Sequence, residues 1–457
     1  MNFGFLHLGT DGDRYKEVII KYLPQKWQIY AFGPGISKKS LNIVGEQDNV
    51  TTIDMYANPI FQRRLTETEI AGIEQWLGFP FTLLLDFCIA TLNPLKKTGL
   101  LSKREIIAKY VIATREFLTN NSIELVSVDL NCSLVDTVFV YTAKRLGLTF
   151  ATPMSGRVEN TVAIYDENYH PVELRENSRA PLDIANNPPR KVLPYFSEGV
   201  VVKEDFILIA FIKKFLRYTK KYNNLRNEEK LRFRDPLTLS YDVGIGYVRK
   251  ILVRFILDKP NKGDRYFLFP LHWTLDSQIL WREYGLDQFE LIEKIAQCLP
   301  SGVLLYVRPH PHLMCEDLSI RKLLELKKLP NVKLTSPKLG IFETMKNSLG
   351  IITINSTAGF EAIMHDFPVI TFGHDFYAIE NVSIIVRDIQ KLPYIFMNII
   401  TDKQYGVSSV KRKEFIQKYL SKMIKIDGRF VPSGLELSDN DGKYIAKMFV
   451  DAHQDKK

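Results

Sequence analysis

Cysteine is scarce in this chain. The 457 residues include four cysteines, Cys88, Cys132, Cys298 and Cys315, which lie far apart in the sequence. Disulfide-stabilised secreted domains and structural zinc sites both need closely spaced cysteines. The sequence therefore predicts neither a disulfide framework nor a zinc site, and it favours a reducing environment such as the cytoplasm.

Long apolar runs are also missing. The longest, Phe79–Leu92, is interrupted by Asp86 and falls short of the roughly 20 apolar residues that a transmembrane helix needs. The first ten residues, MNFGFLHLGT, read as a β-strand rather than as a secretory signal peptide. We therefore expect a cytoplasmic protein without a transmembrane segment.

Neither apolar nor charged residues are unusually frequent, at 46% and 25% of the chain, and these values are typical of soluble globular proteins. A chain of 457 residues is too long for one ordinary core, so we expect two domains. The sequence contains no internal repeat, no low-complexity tract and no known nucleic-acid-binding motif. Nucleic acid is therefore not expected as a partner.

Strands and helices alternate in both halves of the sequence. In the first half the predicted strand Phe3–Leu8 is followed by a helix over Asp13–Leu23 and a strand over Trp27–Phe32. A new alternation begins with the strand Tyr266–Leu271 and continues with Val303–Val307. Such alternation predicts parallel sheets with right-handed crossovers, which define an α/β fold.

A basic segment separates the two halves. Between residues 203 and 254, Lys and Arg are interleaved with aromatic residues, and the whole chain has a net charge of +9. A basic helix with an aromatic face suits an anionic membrane surface or an acidic glycan, although a solvated helical linker explains the pattern equally well. We predict a first domain over residues 1–185, a helical basic insertion over 186–262, a second domain over 263–400 and C-terminal helices over 401–457.

The most informative stretch is Ile351–Gly373. It predicts a buried strand, a turn with Ser356, Thr357 and Gly359, a helix and a second strand. The start of a helix offers unpaired backbone N–H groups and the positive end of the helix dipole, and two hydroxyls add further donors. We predict a phosphate site at these three turn residues, although a plain helix cap explains one of the hydroxyls.

A second polar cluster, the sequence RPHPH at residues 308–312, follows the apolar strand Val303–Val307. Polar loops at the carboxyl ends of neighbouring strands are where open α/β sheets bind ligands. The prolines stiffen the loop that carries His310, and Arg308 can hold a phosphate through two hydrogen bonds. A structural proline-rich turn is the alternative. Together the two clusters predict a nucleotide-dependent enzyme.

In this order, RPHP followed by NSTAGFEA and FPVITFG resembles the C-terminal half of bacterial capsule-polysaccharide glycosyltransferases, which include Kdo transferases and, more distantly, polysialyltransferases. The resemblance extends over Tyr266–Pro393, and none is apparent for Pro189–Lys259. It implies a GT-B fold, in which two Rossmann-like domains face a cleft. It also implies a nucleotide-sugar donor, CMP-Kdo or CMP-sialic acid, and a glycan or lipid-linked acceptor.

The resemblance also implies roles for individual residues. His310 would contact the donor phosphate and stabilise the departing nucleotide without a metal or other cofactor. Glu361 would hold the ribose hydroxyls, or else act as a carboxylate that complements the helix dipole. His272 and Asp276 lie in a polar loop that faces the cleft in the family, although Asp276 could instead cap the following helix.

An inverting transferase also needs a general base near the acceptor hydroxyl. Asp11, with Asp13 beside it, follows the first strand, and Glu159 follows a later strand of the first half. We predict Asp11 as the base and Glu159 as the second choice. Each of these carboxylates could equally be a solvated loop residue or a helix cap.

Two alternatives to the glycosyltransferase remain open. One is a CDP-polyol phosphotransferase of the teichoic-acid type, and the other is a non-catalytic scaffold with the GT-B fold. In either enzyme reading the protein would act in the cytoplasm or peripherally on the inner face of the plasma membrane. In GT-B enzymes the last helix often returns to the first domain, and we expect the helix over Lys411–Lys425 to do so here.

Overall fold

The computed structural model describes residues 1–7, 18–34, 36, 48–88, 100–128, 134–168, 170–174, 176–185, 188, 208–224, 235–273, 276, 279, 283, 286–310, 317–402, 404–431 and 434–454. The chain divides into two compact units. Unit 1 comprises Met1–Pro181, Phe206–Thr238 and Ser421–Lys457, and unit 2 comprises Leu182–Asp205 and Leu239–Leu420.

The strands and helices of these parts of the chain are numbered in sequence order. The strands are β1 Asn2–Leu6, β2 Gln28–Gly33, β3 Val50–Asp54, β4 Leu125–Ser127, β5 Thr149–Phe150, β6 Thr152–Ser155, β7 Thr161–Tyr165, β8 Tyr266–Pro270, β9 Leu304–Arg308, β10 Val332–Leu334, β11 Gly350–Thr353, β12 Val369–Thr371, β13 Ile384–Ile385, β14 Ile424–Lys425, β15 Arg429–Val431 and β16 Gly434–Glu436. The α-helices are α1 Glu67–Leu77, α2 Phe81–Cys88, α3 Leu100–Asn120, α4 Leu134–Arg145, α5 Leu208–Asn223, α6 Pro236–Val253, α7 Gln288–Cys298, α8 Ile320–Leu326, α9 Ile341–Met345, α10 Thr357–Met364, α11 Leu392–Thr401, α12 Ser409–Ser421 and α13 Asp439–Gln454.

Unit 1 is built on a parallel sheet with the strand order β3-β2-β1-β4-β5. Four of the five residues of β1 are buried, as expected where helices cover both faces of a parallel sheet. A second, antiparallel sheet has the order β14-β7-β6. The order of the parallel sheet is that of a Rossmann-like domain.

The C-terminal part of the chain completes unit 1. Strand β14 pairs with β7, and α13 brings Phe449 against Phe3, with the ring centroids 5.4 Å apart in an edge-to-face arrangement. Phe449 also contacts Trp27. Because these aromatic rings are buried, the core of unit 1 needs side chains from both ends of the described chain.

Unit 2 is built on a six-stranded parallel sheet with the order β10-β9-β8-β11-β12-β13. The chain moves outwards from β8 to β10, returns to the other side of β8 as β11, and moves outwards again. This reversal is the topological switch point at which open α/β sheets bind ligands. His272, Arg308 and Ser356 all lie at or just after the carboxyl ends of strands in this sheet, and therefore along one edge.

The predicted α/β architecture with two Rossmann-like domains is confirmed. The division of the chain differs from the predicted boundaries: α5 belongs to unit 1, whereas most of α6 belongs to unit 2. The reason is that Val253, the last residue of α6, and Ile256, in the turn after it, pack in the core of unit 2. The two helices of the predicted insertion, α5 and α6, are therefore divided between the units, and α12 stays with unit 2 up to Leu420.

No helix in the described segments is long and apolar enough to cross a bilayer.

Asp441 anchors the C-terminal segment inside unit 1. Its fully buried carboxylate accepts hydrogen bonds from the backbone N–H groups of Asp427 (2.9 Å) and Gly428 (3.0 Å), and it pairs with Nη1 of Arg179 at 2.8 Å. Burial alone raises the pKa of a carboxyl, but the hydrogen bonds from Asp427, Ser438 and Gly428 lower it by more, so the pKa of Asp441 lies below its ordinary value. The ionised carboxylate is thus the stable form.

We expect Asp441→Ala to lower the free energy of unfolding by about 3 kcal/mol, because one partner of a buried ion pair is removed. Since the pKa is lowered by folding, this contribution is complete above the ordinary Asp pKa and is lost as the pH falls through the folded-state pKa. Urea unfolding of both proteins measures the difference.

The matched control is Asp439→Ala in the same helical turn. Asp439 is 72% exposed and lies 3.6 Å from Lys21, so its removal should change stability little. Equal losses in the two variants would contradict the anchoring role of Asp441.

Candidate functional site at the switch point of unit 2

His272 and Asn355 meet across the switch point. His272 follows β8 and Asn355 follows β11, and the backbone N–H of Asn355 donates to Nε2 of His272 at 3.3 Å. Nδ1 of the same ring lies 3.1 Å from Oδ2 of Asp276. Because Nε2 accepts a hydrogen bond, the hydrogen of the neutral ring is on Nδ1 and is donated to Asp276. The structure therefore brings the predicted residues His272 and Asp276 into contact.

Gln288, at the start of α7, fixes the backbone of His272. The N–H of His272 donates to Oε1 of Gln288 at 3.0 Å, and Nε2 of Gln288 donates to the carbonyl oxygen of His272 at 3.2 Å. Both residues are buried. With both ring nitrogens and both backbone groups bonded within the protein, His272 is suited to positioning its neighbours, and Asp276, which is half-buried, is the member of the pair that can reach a ligand.

Ser356 caps α10 at the same edge. Its Oγ accepts a hydrogen bond from the backbone N–H of Ala358 at 3.3 Å, and its own N–H donates to Oγ1 of Thr353 at 3.0 Å. The serine hydroxyl still has its hydrogen to donate while it accepts as a cap. Thr357 follows as the first helical residue and is half-buried. Both hydroxyls therefore lie at the start of a helix, and phosphate binding by them stays a prediction.

Gly359 is needed because of Tyr377. A Cβ atom at residue 359 would lie 2.6 Å from the hydroxyl oxygen of Tyr377 and 2.7 Å from its Cζ atom. The Tyr377 hydroxyl also donates to the carbonyl oxygen of Ser356 at 2.7 Å. The tyrosine ring thus packs directly on the first turn of α10, a contact that the sequence does not reveal, and close approach of a ligand to Gly359 stays a prediction.

Arg308 and Glu361 are both buried below this edge. Nη2 of Arg308 donates to the carbonyl oxygens of Pro337 (3.1 Å) and Leu339 (2.7 Å) and so holds the loop before α9. Burial lowers the pKa of Arg308 to about 10, against the opposing effect of the Glu361 charge. Burial raises the pKa of Glu361 to about 7, against the opposing effect of Arg308. Near neutral pH, Glu361 is therefore partly protonated.

For the remaining predicted site residues the structure gives a position and an exposure at most. His310 lies two residues beyond the end of β9 and is half-buried. Glu159 is an exposed residue of unit 1, between β6 and β7. Asp11 and Asp13, like His312, lie outside the residues that the structure describes. The predicted roles of all these residues stay predictions.

Three polar residues of this edge were missed in the sequence. A carboxylate oxygen of Glu283 accepts hydrogen bonds from Nδ2 of Asn355 (2.7 Å) and from the backbone N–H of His374 (2.9 Å). His374 follows β12 just as His310 follows β9, so its position after an apolar strand could have identified it. Asn355 directly precedes the cap residue Ser356. Nothing in the sequence around Glu283 distinguishes it from a loop carboxylate.

Residues 195–391 match the family model described as capsule polysaccharide biosynthesis protein. The predicted resemblance to capsule-polysaccharide glycosyltransferases is therefore confirmed over these residues. The match begins at residue 195, within Pro189–Lys259, where no resemblance was apparent from the motifs. No curated protein matches the sequence at a significant level.

Several solved structures are weakly similar. The β-Kdo 2,7-transferase of KpsC from Thermosulfurimonas dismutans is 12% identical, with 79% of this chain and 98% of that chain covered and a TM-score of 0.33. The β-Kdo 2,4-transferase of the same protein is also 12% identical, with 71% of this chain and 87% of that chain covered and a TM-score of 0.35. UDP-GlcNAc 2-epimerase from Methanocaldococcus jannaschii is 12% identical, with 98% of this chain and 99% of that chain covered and a TM-score of 0.27. At these TM-scores the likenesses add nothing to the fold assignment, which rests on the strand order of the two parallel sheets.

Replacing Glu361 with Gln tests the burial of its charge. Folding raises the pKa of Glu361 from 4.5 to about 7, so the folded state binds this proton more tightly than the unfolded state. Ionisation of the carboxyl therefore costs stability as the pH rises from 4.5 through about 7, by about 3 kcal/mol for a shift of this size.

We expect Glu361→Gln to gain stability relative to the wild type by about that amount between about pH 4.5 and about pH 8. Urea unfolding of both proteins at the two pH values measures the change, and Glu343→Gln, an exposed carboxylate of α9, is the matched control. A stability difference that stays constant across this range would show that Glu361 does not carry the proposed proton.

Proposed function

We propose that this protein is a glycosyltransferase of cell-surface polysaccharide synthesis. It transfers a sugar from a nucleotide donor to a glycan or lipid-linked acceptor, and no metal takes part. The observation that supports the proposal is the coincidence of the capsule-family segment, residues 195–391, with the switch point at which His272, Asp276, Asn355 and Ser356 converge. Ligand binding at such a point is the general rule for open α/β sheets.

The chemistry of this edge suits an anionic donor. The N-terminus of α10 presents backbone N–H groups and the positive end of its dipole, and the hydroxyls of Ser356 and Thr357 stand beside it. The hydrogen bonds of Arg308 to carbonyl oxygens leave its positive charge in place. We propose that these groups, together with His310, hold the phosphate of a CMP-linked donor, with Kdo or sialic acid as the sugar.

The transfer itself needs one proton acceptor and one stabilised leaving group. The oxygen of the acceptor hydroxyl attacks the anomeric carbon, the bond from that carbon to the phosphate oxygen breaks, and CMP leaves with the electron pair. A carboxylate of unit 1, Asp11 or Glu159, takes the hydroxyl proton. Groups at the α10 edge stabilise the negative charge that develops on the departing phosphate.

Thermal unfolding in the presence of CMP, CDP, UDP and GDP tests the donor class. A nucleotide at about 100 times its dissociation constant stabilises the folded state by about 2.7 kcal/mol, and we expect CMP to give the largest increase in Tm. Stabilisation by CDP alone would support the polyol-phosphate transferase, and UDP or GDP alone would overturn the CMP assignment. No response to any of the four would favour the non-catalytic scaffold.

The same assay examines His310 and the general base. His310→Ala should weaken nucleotide binding and lower turnover, because the leaving phosphate loses its imidazole partner. Asp11→Ala and Glu159→Ala should leave nucleotide binding unchanged, and the variant of the true base should lose turnover. Unchanged affinity and unchanged turnover in His310→Ala would overturn this mechanism.

We also propose that the basic segment contacts an anionic membrane surface. Seven large apolar residues of α6 and the turn after it are exposed, and four of them recur at helical spacing, namely Tyr241, Val248, Leu252 and Phe255, of which Phe255 is 84% exposed. Their spacing of seven, four and three residues places them on one face of a helix. Arg254 is exposed among them. Helix α5, in unit 1, contributes through its own sequence five Lys and Arg residues and no carboxylate to the basic segment. An apolar face with basic neighbours is the pattern of interfacial helices.

Co-sedimentation with lipid vesicles tests this contact. We expect binding to vesicles that contain phosphatidylserine, weaker binding to purely zwitterionic vesicles, and a large loss of binding in Phe255→Asp. The matched control is Met397→Asp, since Met397 is an exposed apolar residue of α11 in the same unit but outside the basic segment. Binding that is independent of anionic lipid, or equally weakened in both variants, would overturn the proposal.

A further inference from the structure

Glu283 joins the loops that follow two neighbouring strands. Its side chain is only 8% exposed. Oε1 accepts hydrogen bonds from Nδ2 of Asn355, after β11, and from the backbone N–H of His374, after β12. Oε2 lies 3.1 Å from Nδ1 of His374. Burying a carboxylate costs free energy unless it accepts hydrogen bonds. Glu283 accepts several, and those from His374 fix the orientation of its imidazole ring.

The backbone that carries His374 is held as firmly as the ring. A Cβ atom at Gly373 would lie 1.9 Å from Oδ1 of Asn355, so the main chain at residue 373 rests directly against that side chain. Arg387 donates to the carbonyl oxygens of Phe372 (2.8 Å) and Gly373 (3.1 Å). His374 can therefore leave Asn355 only if several contacts break together.

His374 nevertheless faces solvent, since 66% of its side chain is exposed. Strands β11 and β12 are paired in register, with Thr353 opposite Thr371, so the residues after them emerge side by side. Asn355 bonds to Glu283 through its side chain and to His272 through its backbone. One continuous hydrogen-bonded network thus runs from Asp276 to His374 along the edge where Ser356 caps α10.

We propose that His374 is a ligand-binding residue of this edge and that Glu283 is its positioning residue. Glu283 accepts a hydrogen bond from Nδ1 of His374, and Nε2, across the ring, donates a second hydrogen bond to a phosphate oxygen of the donor. The imidazolium then lies between two anions, the carboxylate and the phosphate, and both hydrogen bonds are charge-assisted. The inference rests on the proposed function, because it requires the donor nucleotide to bind at this edge.

Paired titrations with CMP and cytidine test the contact, because the two ligands differ by the phosphate. We expect His374→Gln to weaken CMP binding by about 10- to 100-fold, as for loss of a hydrogen bond to a charged group, and to leave cytidine binding unchanged. The matched control is His170→Gln, since His170 is an exposed histidine of unit 1, and this variant should bind both ligands like the wild type. If the wild type prefers UDP or GDP, that nucleotide and its nucleoside replace CMP and cytidine.

A double-mutant cycle tests the role of Glu283. If Glu283 acts through His374, Glu283→Gln weakens CMP binding on its own but adds nothing when His374 is already Gln. Additive losses, or an equal loss of cytidine binding, would show that Glu283 only supports the fold of the loops. Thermal unfolding of each variant without ligand confirms that it is folded.

The outcomes separate this inference from the proposed function. Unchanged CMP affinity in His374→Gln, with CMP bound by the wild type, overturns the assignment of His374 alone. Equal weakening of CMP and cytidine overturns the phosphate contact. A wild-type protein that binds none of CMP, CDP, UDP and GDP overturns the proposed function and the assignment of His374 with it.

Discussion

The candidate site of unit 2 depends on one backbone hydrogen bond, which Asn355 donates to His272. Strand pairing brings the ends of β8 and β11 side by side, and this bond, together with the one from Nδ2 of Asn355 to Glu283, joins the loops that follow them into one surface. The ring of His272 is bonded at both nitrogens, and its backbone is paired with Gln288. Polar groups held in this way need little reorganisation when a charge develops beside them, which is the main requirement for electrostatic stabilisation of a transition state.

Below that surface, two opposite charges are buried near one another without a direct ion pair. The guanidinium of Arg308 donates hydrogen bonds to the carbonyl oxygens of Pro337 and Leu339 rather than to the carboxylate of Glu361. Burial shifts both pKa values towards the neutral forms, and each charge opposes the shift of the other. Buried charges contribute little to the free energy of unfolding unless all their hydrogen bonds are made. We therefore expect this pair to affect the electric field at the site more than the stability of the fold.

The sequence predicts those parts of the fold and site that follow local rules. Strand–helix alternation predicts both parallel sheets, and the Ser-Thr pair before an apolar helix predicts the cap at Ser356. The sequence does not show why residue 359 must be a glycine, because the ring that excludes a larger side chain belongs to Tyr377. It also does not identify Glu283, because the hydrogen-bond partner Asn355 is 72 residues away. The two-residue strand β14 was also missed, since so short a segment shows no periodicity.

The two units differ in how their cores are distributed along the chain. Most of unit 2 is contiguous, Leu239–Leu420, whereas unit 1 needs β14 against β7 and Phe449 against Phe3. A nascent polypeptide that has emerged from the ribosome only as far as Leu420 therefore contains nearly the whole of unit 2 but lacks a strand and a helix of unit 1. Although its first residues are translated first, unit 1 is the unit that is completed last, and during that interval the apolar surface around Phe3 and Trp27 lacks the ring of Phe449 that covers it in the folded unit.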